Sequence, residues 1–148
     1  MRIFIVCSML FITGILLLTQ QPAVSQTEAK AQDGMLIHIT AGPDDPHRLL
    51  MALQMARMMS DSRPVLVYLD IEAAKTVLKD SKDVTHPAFP TAQTQIRYLL
   101  DHGVTIMACP GCLRAFNKTG DDLMAGVKVA QKNTFFDFAP GRIVTLDY

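Results

Sequence analysis

The chain has 148 residues, enough for one domain with a modest core. Fourteen Lys and Arg side chains balance fourteen Asp and Glu, and neither a basic patch nor an acidic tail appears, which excludes a nucleic-acid partner held through its phosphates. No phosphate loop, Ser–His–Asp arrangement or HExxH motif is present, so a common hydrolase or nucleotide enzyme is excluded and no cofactor is expected.

The chain opens with Met1-Arg2, a minimal charged leader. Ile3 to Leu18 is almost wholly apolar, and Ala23-Val24-Ser25 places small residues where a signal peptidase cuts. Residues 1–25 therefore read as a secretory signal peptide cleaved near Ser25-Gln26, with the periplasm as the expected destination. The apolar run is slightly short of the roughly 20 residues a membrane span needs; the alternative is a membrane anchor formed by residues 3–18. After cleavage no membrane segment is expected. Loss of Arg2 leaves 13 basic against 14 acidic side chains, a formal charge of −1. Of the three cysteines, Cys7 lies inside the apolar run, away from any lipoprotein junction. Cys109 and Cys112 remain in the mature chain. An exported chain sits in an oxidising compartment, so their redox state bears on function.

Residues 26–34, QTEAKAQDG, are small and polar and read as a flexible tether before a domain at 35–148. MLIHITA (35–41) reads as a buried strand. GPDDP follows as turn and cap chemistry, with Asp44 suited to the N-cap and Pro46 to the first turn of a helix over 45–61. PVLVYLD (64–70) is a second strand and EAAKTVLK (72–79) is helix-prone. Residues 80–90 form a loop with two prolines. A helix over 91–103 ends at Gly103. VTIMA (104–108) is the third strand, and residues 110–117 a short helix. Asp121-Asp122 is read as capping a further short helix. GVKVA (126–130) and RIVTLDY (142–148) are strand candidates, with NTFFDFAPG between them as a helical turn or loop. Apolar runs alternating with amphipathic helices predict an α/β domain. The expected architecture is three-layer α/β/α, with a mainly parallel sheet of about five strands. In such sheets sites lie at the carboxyl ends of strands. Three segments qualify: GPDDP, the stretch after Asp70, and CPGC.

ACPGCL (108–113) carries the strongest chemical signal. Pro110 suits the first position of a helix, which makes Cys109 the N-cap and Cys112 the third helical residue. A thiolate at the N-cap accepts hydrogen bonds from unpaired backbone N–H groups, and the helix dipole favours its charge. Cys109 is therefore the expected nucleophile, and Cys112, one turn on, the resolving thiol. Arg114 and Lys118 add positive charge nearby. A structural zinc site needs four ligands, and no second CxxC exists. His38, His86 and His102 are scattered and read as ordinary core or surface residues.

HITAGPDDPHRLLMALQMA, LLDHGVTIMACPGC and GDDLMAGVKV, in that order, resemble the DsrE/DsrF-like sulfur-relay family over about residues 35–130, and within it the small peroxiredoxin-like and exported members. The resemblance implies a flavodoxin-like α/β/α domain that assembles into homo-oligomers. It also implies that a cysteine ending a strand and opening a helix accepts a persulfide and hands the sulfur on. Cys109 occupies that position. The chain departs from typical relay members in its expected export, in lacking a Gly-Val pair after the second strand, and in carrying Cys112. The expected activity is sulfane-sulfur transfer at Cys109, with an unidentified donor or redox partner. The GPDDP loop (Gly42, Pro43, Asp44) would shape the pocket. The alternatives are a dithiol–disulfide redox protein and a non-catalytic metal-binding or assembly module.

One further pattern lies in HRLLMALQMARMM. At 3.6 residues per turn, Leu49, Ala52, Leu53 and Ala56 share the core face, and His47, Gln54, Arg57 and Asp61 mark the wet side. Met51, Met55 and Met58 form a stripe between them, headed by His47. Such a stripe packs as a core edge or oligomer interface; thioethers and an imidazole also suit a soft metal such as Cu(I).

Overall fold

Five apolar runs pair into one sheet in a computed structural model that describes residues 31–148. The expected signal peptide and the first part of the tether lie outside the described residues. The strands are Gly34–Ile39 (β1), Val65–Leu69 (β2), Thr105–Ala108 (β3), Lys128–Val129 (β4) and Ile143–Asp147 (β5), in the order β4-β3-β2-β1-β5. Every pairing is parallel, with His38 opposite both Tyr68 and Asp147, and Tyr68 opposite Met107.

Helix α1 (Pro46–Ser60) follows β1. Its N-cap is Asp45, whose side chain accepts from the Arg48 N–H at 3.3 Å. Asp44, expected in that role, is one residue too early, because Pro46 takes the first helical position. Leu49, Leu50, Ala52, Leu53 and Ala56 are buried on the sheet. The face expected to be wet is partly covered by helix α2 (Ala92–Asp101): the Arg57 guanidinium sits 4.2 Å from the centre of the Tyr98 ring. Gln95 of α2 is fully buried and donates to the Leu50 and Pro90 carbonyls.

The segment after β2, helix-prone over 72–79, is a 3-10 helix, Ile71–Val77. Its Ala73, Ala74, Thr76 and Val77 are all buried. Gly42 is buried where an added Cβ would stand 2.6 Å from Glu72 Cβ, so the loop after β1 and this 3-10 helix are in backbone contact. Helix α3 (Pro110–Ala115) follows β3. The next short element, Gly120–Asp122, is capped by Thr119, with Asp122 closing the box onto the Thr119 N–H at 2.7 Å. The acidic pair expected to cap it lies inside it, and of the two Asp122 takes part in the cap.

β4 and β5 lie at opposite edges of the sheet, so residues 130–142 must cross it. Right-handed crossovers explain the side they take. The steps from β1 to β4 move one way across the sheet and carry their helices on one face; the return runs over the other. That second face holds Leu36, Leu66 and Met107, packed by Tyr68, Phe135, Phe138 and Ile143. Its cover is a run of turns over 132–138 rather than a regular helix. The end of the expected tether is held: Asp33 pairs with Arg142 at 2.8 Å, and the Gly34 N–H donates to the Arg142 carbonyl at 2.8 Å. Among the described residues no helix is long and apolar enough to cross a membrane.

Candidate active site at the carboxyl ends of the strands

Side chains alternate along a strand, so β1, β2 and β3, with the residues that follow β2 and β3, set four polar residues on the second face, beyond its apolar patch. Leu36 precedes His38, Leu66 precedes Tyr68 and Asp70, and Met107 precedes Cys109. The Cys109 N–H donates to the Leu69 carbonyl at 2.9 Å, which locks the end of β3 beside the end of β2.

Cys109 is the N-cap of α3, as its sequence setting predicts, and its sulfur accepts the Cys112 N–H at 3.4 Å. Partial burial alone pushes the Cys109 thiol up. Hydrogen bonds from Tyr68, from the Cys112 side chain and from the Cys112 and Gly111 backbone outweigh this and hold it below the usual thiol range. Cys112 moves the other way. Burial raises it, and so does sharing a hydrogen bond with Cys109, while the Ile71 N–H, 3.0 Å from its sulfur, opposes both. The arrangement therefore separates the thiols: the Cys109 thiolate is the more favoured of the two, and Cys112 is the more reluctant to lose its proton. The two are unbridged.

Ile71 supplies that N–H from a left-handed backbone, with φ of +46°. A β-branched residue rarely adopts this region, and the cost is about 1–3 kcal/mol. Its side chain is exposed, so burial does not explain the conformation. The contact with the Cys112 sulfur does.

Behind the thiols lies a charged cluster. His38 Nδ1 meets Asp147 Oδ1 at 2.7 Å, and His38 Nε2 lies 3.1 Å from Asp70 Oδ2 in an ionic contact. Burial lowers the imidazole pKa, but the bonds to Asp147 and Asp70 and their negative charges outweigh it, and the net shift is upward. The His38 ring stacks on Tyr68 at 5.5 Å, and Tyr68 meets Phe135 edge-on at 4.9 Å. Burial, with the hydrogen bond to Cys109, pushes the Tyr68 phenol well above its ordinary range.

The three strand-end segments have different fates. CPGC and the stretch after Asp70 converge on the sulfurs. Pro43 and Asp44 are exposed, Gly42 is packed on Glu72, and among the described residues no hydrogen bond links these three to either cysteine. The methionine stripe is mostly outward: Met51 and Met58 are exposed, while Met55 is half-buried against the core. His47 stacks on His86 at 5.1 Å and lies tilted against Phe89 at 5.6 Å. Among the described residues no group of three or more His, Cys, Asp or Glu side chains could hold a metal ion.

His38, read as an ordinary core or surface residue, instead lies between Asp70 and Asp147, and Tyr68, Asp70, Ile71 and Asp147 were not singled out by sequence reasoning. The strand alternation carried a signal for three of them. MLIHI sets His38 on the face of Leu36, and PVLVYLD sets Tyr68 and Asp70 on the face of Leu66. A polar residue in register with an apolar one marks a place where the face turns from core to site. Asp147 had no such signal, because its partnership depends on β5 returning beside β1.

Two solved structures share this fold. One is a protein of unknown function, MTH1491, from Methanobacterium thermoautotrophicum, with a TM-score of 0.56 and 22% identity, covering 78% of this chain and 99% of that one. The other is the ychN protein from E. coli, with a TM-score of 0.58 and 15% identity, again covering 78% and 99%. At these identities the likeness is one of fold. No curated protein matches the chain. The DsrE/DsrF-like family model matches residues 33–140, from the start of β1 through β4 and including both cysteines. The chain belongs to the DsrE/DsrF-like family.

Proposed function

We propose that this chain is an exported sulfur-handling protein that accepts and donates sulfane sulfur at Cys109, with Cys112 as the resolving thiol. The observation that carries the reading is the unequal pair: a hydrogen-bonded Cys109 sulfur at the strand–helix junction, lowered in pKa, beside a raised Cys112. In the accepting step the Cys109 thiolate attacks the outer sulfur of a donor persulfide, R–S–SH. The donor S–S bond breaks, its electron pair leaves on R–S⁻, and Cys109 becomes Cys109–S–SH. An acceptor thiolate then takes that outer sulfur in the same way. If Cys112 attacks first, after losing its proton to solvent, it forms the Cys109–Cys112 disulfide and releases HS⁻. A thiol reductant must then restore the pair.

Export is supported by the Ile3–Leu18 run and the small residues at 23–25. Family membership and the exposed Met51 and Met58 support assembly as a homo-oligomer. The second reading is dithiol–disulfide exchange at the same pair. It is favoured by the short sequence spacing and by the Cys112 N–H that donates to the Cys109 sulfur at 3.4 Å.

Intact mass of protein trapped on lysis from its native compartment separates the two. A reductant-sensitive gain of about 32 Da on Cys109, with a sulfinic acid excluded by peptide mapping, supports sulfur transfer. A loss of about 2 Da supports disulfide cycling. The expected outcome is that Cys112→Ser retains the gain and transfers sulfur to an acceptor thiol, whereas Cys109→Ser does neither. Retention of transfer by Cys109→Ser would remove Cys109 from its role.

A further inference from the structure

A cavity of about 650 Å³ lies on the second face, between the crossing segment and strands β3 and β4. Sites for small molecules run from roughly 300 to 1,000 Å³. Its walls are mixed: Met107, Val129 and Phe138 supply apolar surface, and Lys128, Gln131 and Asp137 supply polar groups. Lys128 and Asp137 are exposed, and neither forms an ion pair among the described residues. The cavity is in line with the thiols. Met107 pairs with Lys128, so both face the same side of the sheet, and Cys109 is the next residue on that side of β3. Two residues of strand span about 7 Å. Ala130 continues β4 beside Cys109: its N–H donates to the Ala108 carbonyl at 2.9 Å, and its small side chain packs on the second-face patch. Attack by Cys109 on a persulfide does not by itself require this space.

We propose that this cavity binds the organic part of the sulfur donor, and that the donor is the persulfide of a short peptide thiol, its carboxylate held at Lys128 and its ammonium group at Asp137. The assignment deepens the sulfur-transfer reading of Cys109 and rests on it. Length argues for a peptide. An extended peptide covers up to roughly 3.6 Å per residue, so two or three residues reach from Cys109 back over Met107 to the charged rim, whereas a single amino acid falls short. Charge argues for free termini: the cavity offers one cation and one anion that are not paired with each other. Gln131 offers both a donor and an acceptor to a peptide bond, and the apolar walls take the methylene groups between the polar ones. With the donor seated, the Cys109 thiolate attacks the outer sulfur of R–S–SH. The donor S–S bond breaks, Cys109–S–SH forms, and R–S⁻ leaves with the electron pair and takes a proton from water.

The probe is S-methylglutathione, the unreactive thioether of a tripeptide thiol with free carboxylates and a free amine. It is titrated into the full chain and followed by NMR of labelled methionine methyl groups and phenylalanine rings. Met107 and Phe138 should shift together with a Kd of about 0.1–1 mM, weak because both charges of the site are exposed. An exposed ion pair is worth up to about fivefold in affinity, so the free acid should bind up to about fivefold tighter than its dimethyl ester. Lys128→Glu should abolish or reverse that preference. Equal affinity for acid and ester in the unmutated chain overturns the proposal, and so do shifts confined to residues away from Met107 and Phe138. Absence of binding at about 10 mM overturns it too, including the case in which a second copy of the chain fills the cavity and the Met107 signal follows protein concentration instead. The ester comparison needs no variant, so a misfolded Lys128→Glu leaves the test intact. None of these readouts uses sulfur transfer, which is scored separately as the gain of about 32 Da on Cys109 after exposure to glutathione persulfide. A chain that binds the thioether in the cavity and never gains sulfur keeps the peptide site and loses the transfer reading. A chain that gains sulfur from this donor without binding the thioether overturns the peptide site and keeps the transfer reading.

Discussion

Ile71 joins backbone strain to sulfur chemistry in a single residue. Its left-handed φ of +46° aims an N–H at Cys112 Sγ, 3.0 Å away. Replacing it by glycine removes the steric cost of that conformation, about 1–3 kcal/mol, and adds back roughly 0.5–1 kcal/mol of unfolded-chain entropy. The exposed side chain leaves little burial to lose. Ile71→Gly should therefore stabilise the fold by about 1 kcal/mol, seen as a higher urea midpoint. The same change loosens the donor at Cys112, so the Cys112 thiol should lose some of its definition while the fold gains. A lower urea midpoint would mean that the isoleucine side chain holds the turn rather than straining it.

At the scale of elements, the two faces of the sheet are covered by different means. One is packed by α1, α2 and the 3-10 helix, with a continuous core from Met35 to Leu123. The other has a small patch of Leu36, Leu66 and Met107 under the turns of 132–138. Phe138 is half-buried over that patch. Truncating a fully buried Phe costs about 3–5 kcal/mol; at half burial, Phe138→Ala should cost about 2 kcal/mol. It should also raise binding of a hydrophobic dye, because it uncovers the second face without touching the first. Equal dye binding by variant and parent would show that the crossing segment holds its place without this ring.

For the molecule as a whole, His38 ties together three strands that are far apart in the chain, β1, β2 and β5. Its pKa is raised in the folded state by Asp147 and Asp70 against the opposing effect of burial. A group raised above its unfolded value, about 6.5, stabilises the fold fully below that value and loses its contribution as pH rises through the folded pKa. The stability lost in His38→Gln should therefore be larger near pH 6 than at pH well above the folded value, measured by denaturant unfolding of both proteins. Asp80 and Asp122 are lowered, by Lys118 and by Thr119 respectively, so their contributions fade only in acid and leave this window undisturbed. A loss independent of pH would mean that His38 acts through packing alone.

The alternating apolar runs and helices determined the parallel α/β class, and Pro110 determined that Cys109 caps a helix, because both depend on neighbours a few residues apart. Helix type over Ile71–Val77 was not legible in the same way: burial of Ala73, Ala74 and Val77 between β2, α3 and the loop at Gly42 overrides a local propensity for α-helix. Half of the candidate site was local in the same sense, and that half is the cysteine pair. The other half came from distance. His38 and Asp147 are 109 positions apart, and they meet only because the last strand crosses the sheet to lie beside the first. Alternation could place Tyr68 on the second face, but only the register of β2 against β3 sets it opposite Met107, two residues before Cys109. Spacing along the chain thus decided which cysteine caps the helix. Tertiary structure decided which residues surround it, because strand order is set by crossover handedness and burial, which no short stretch of sequence contains.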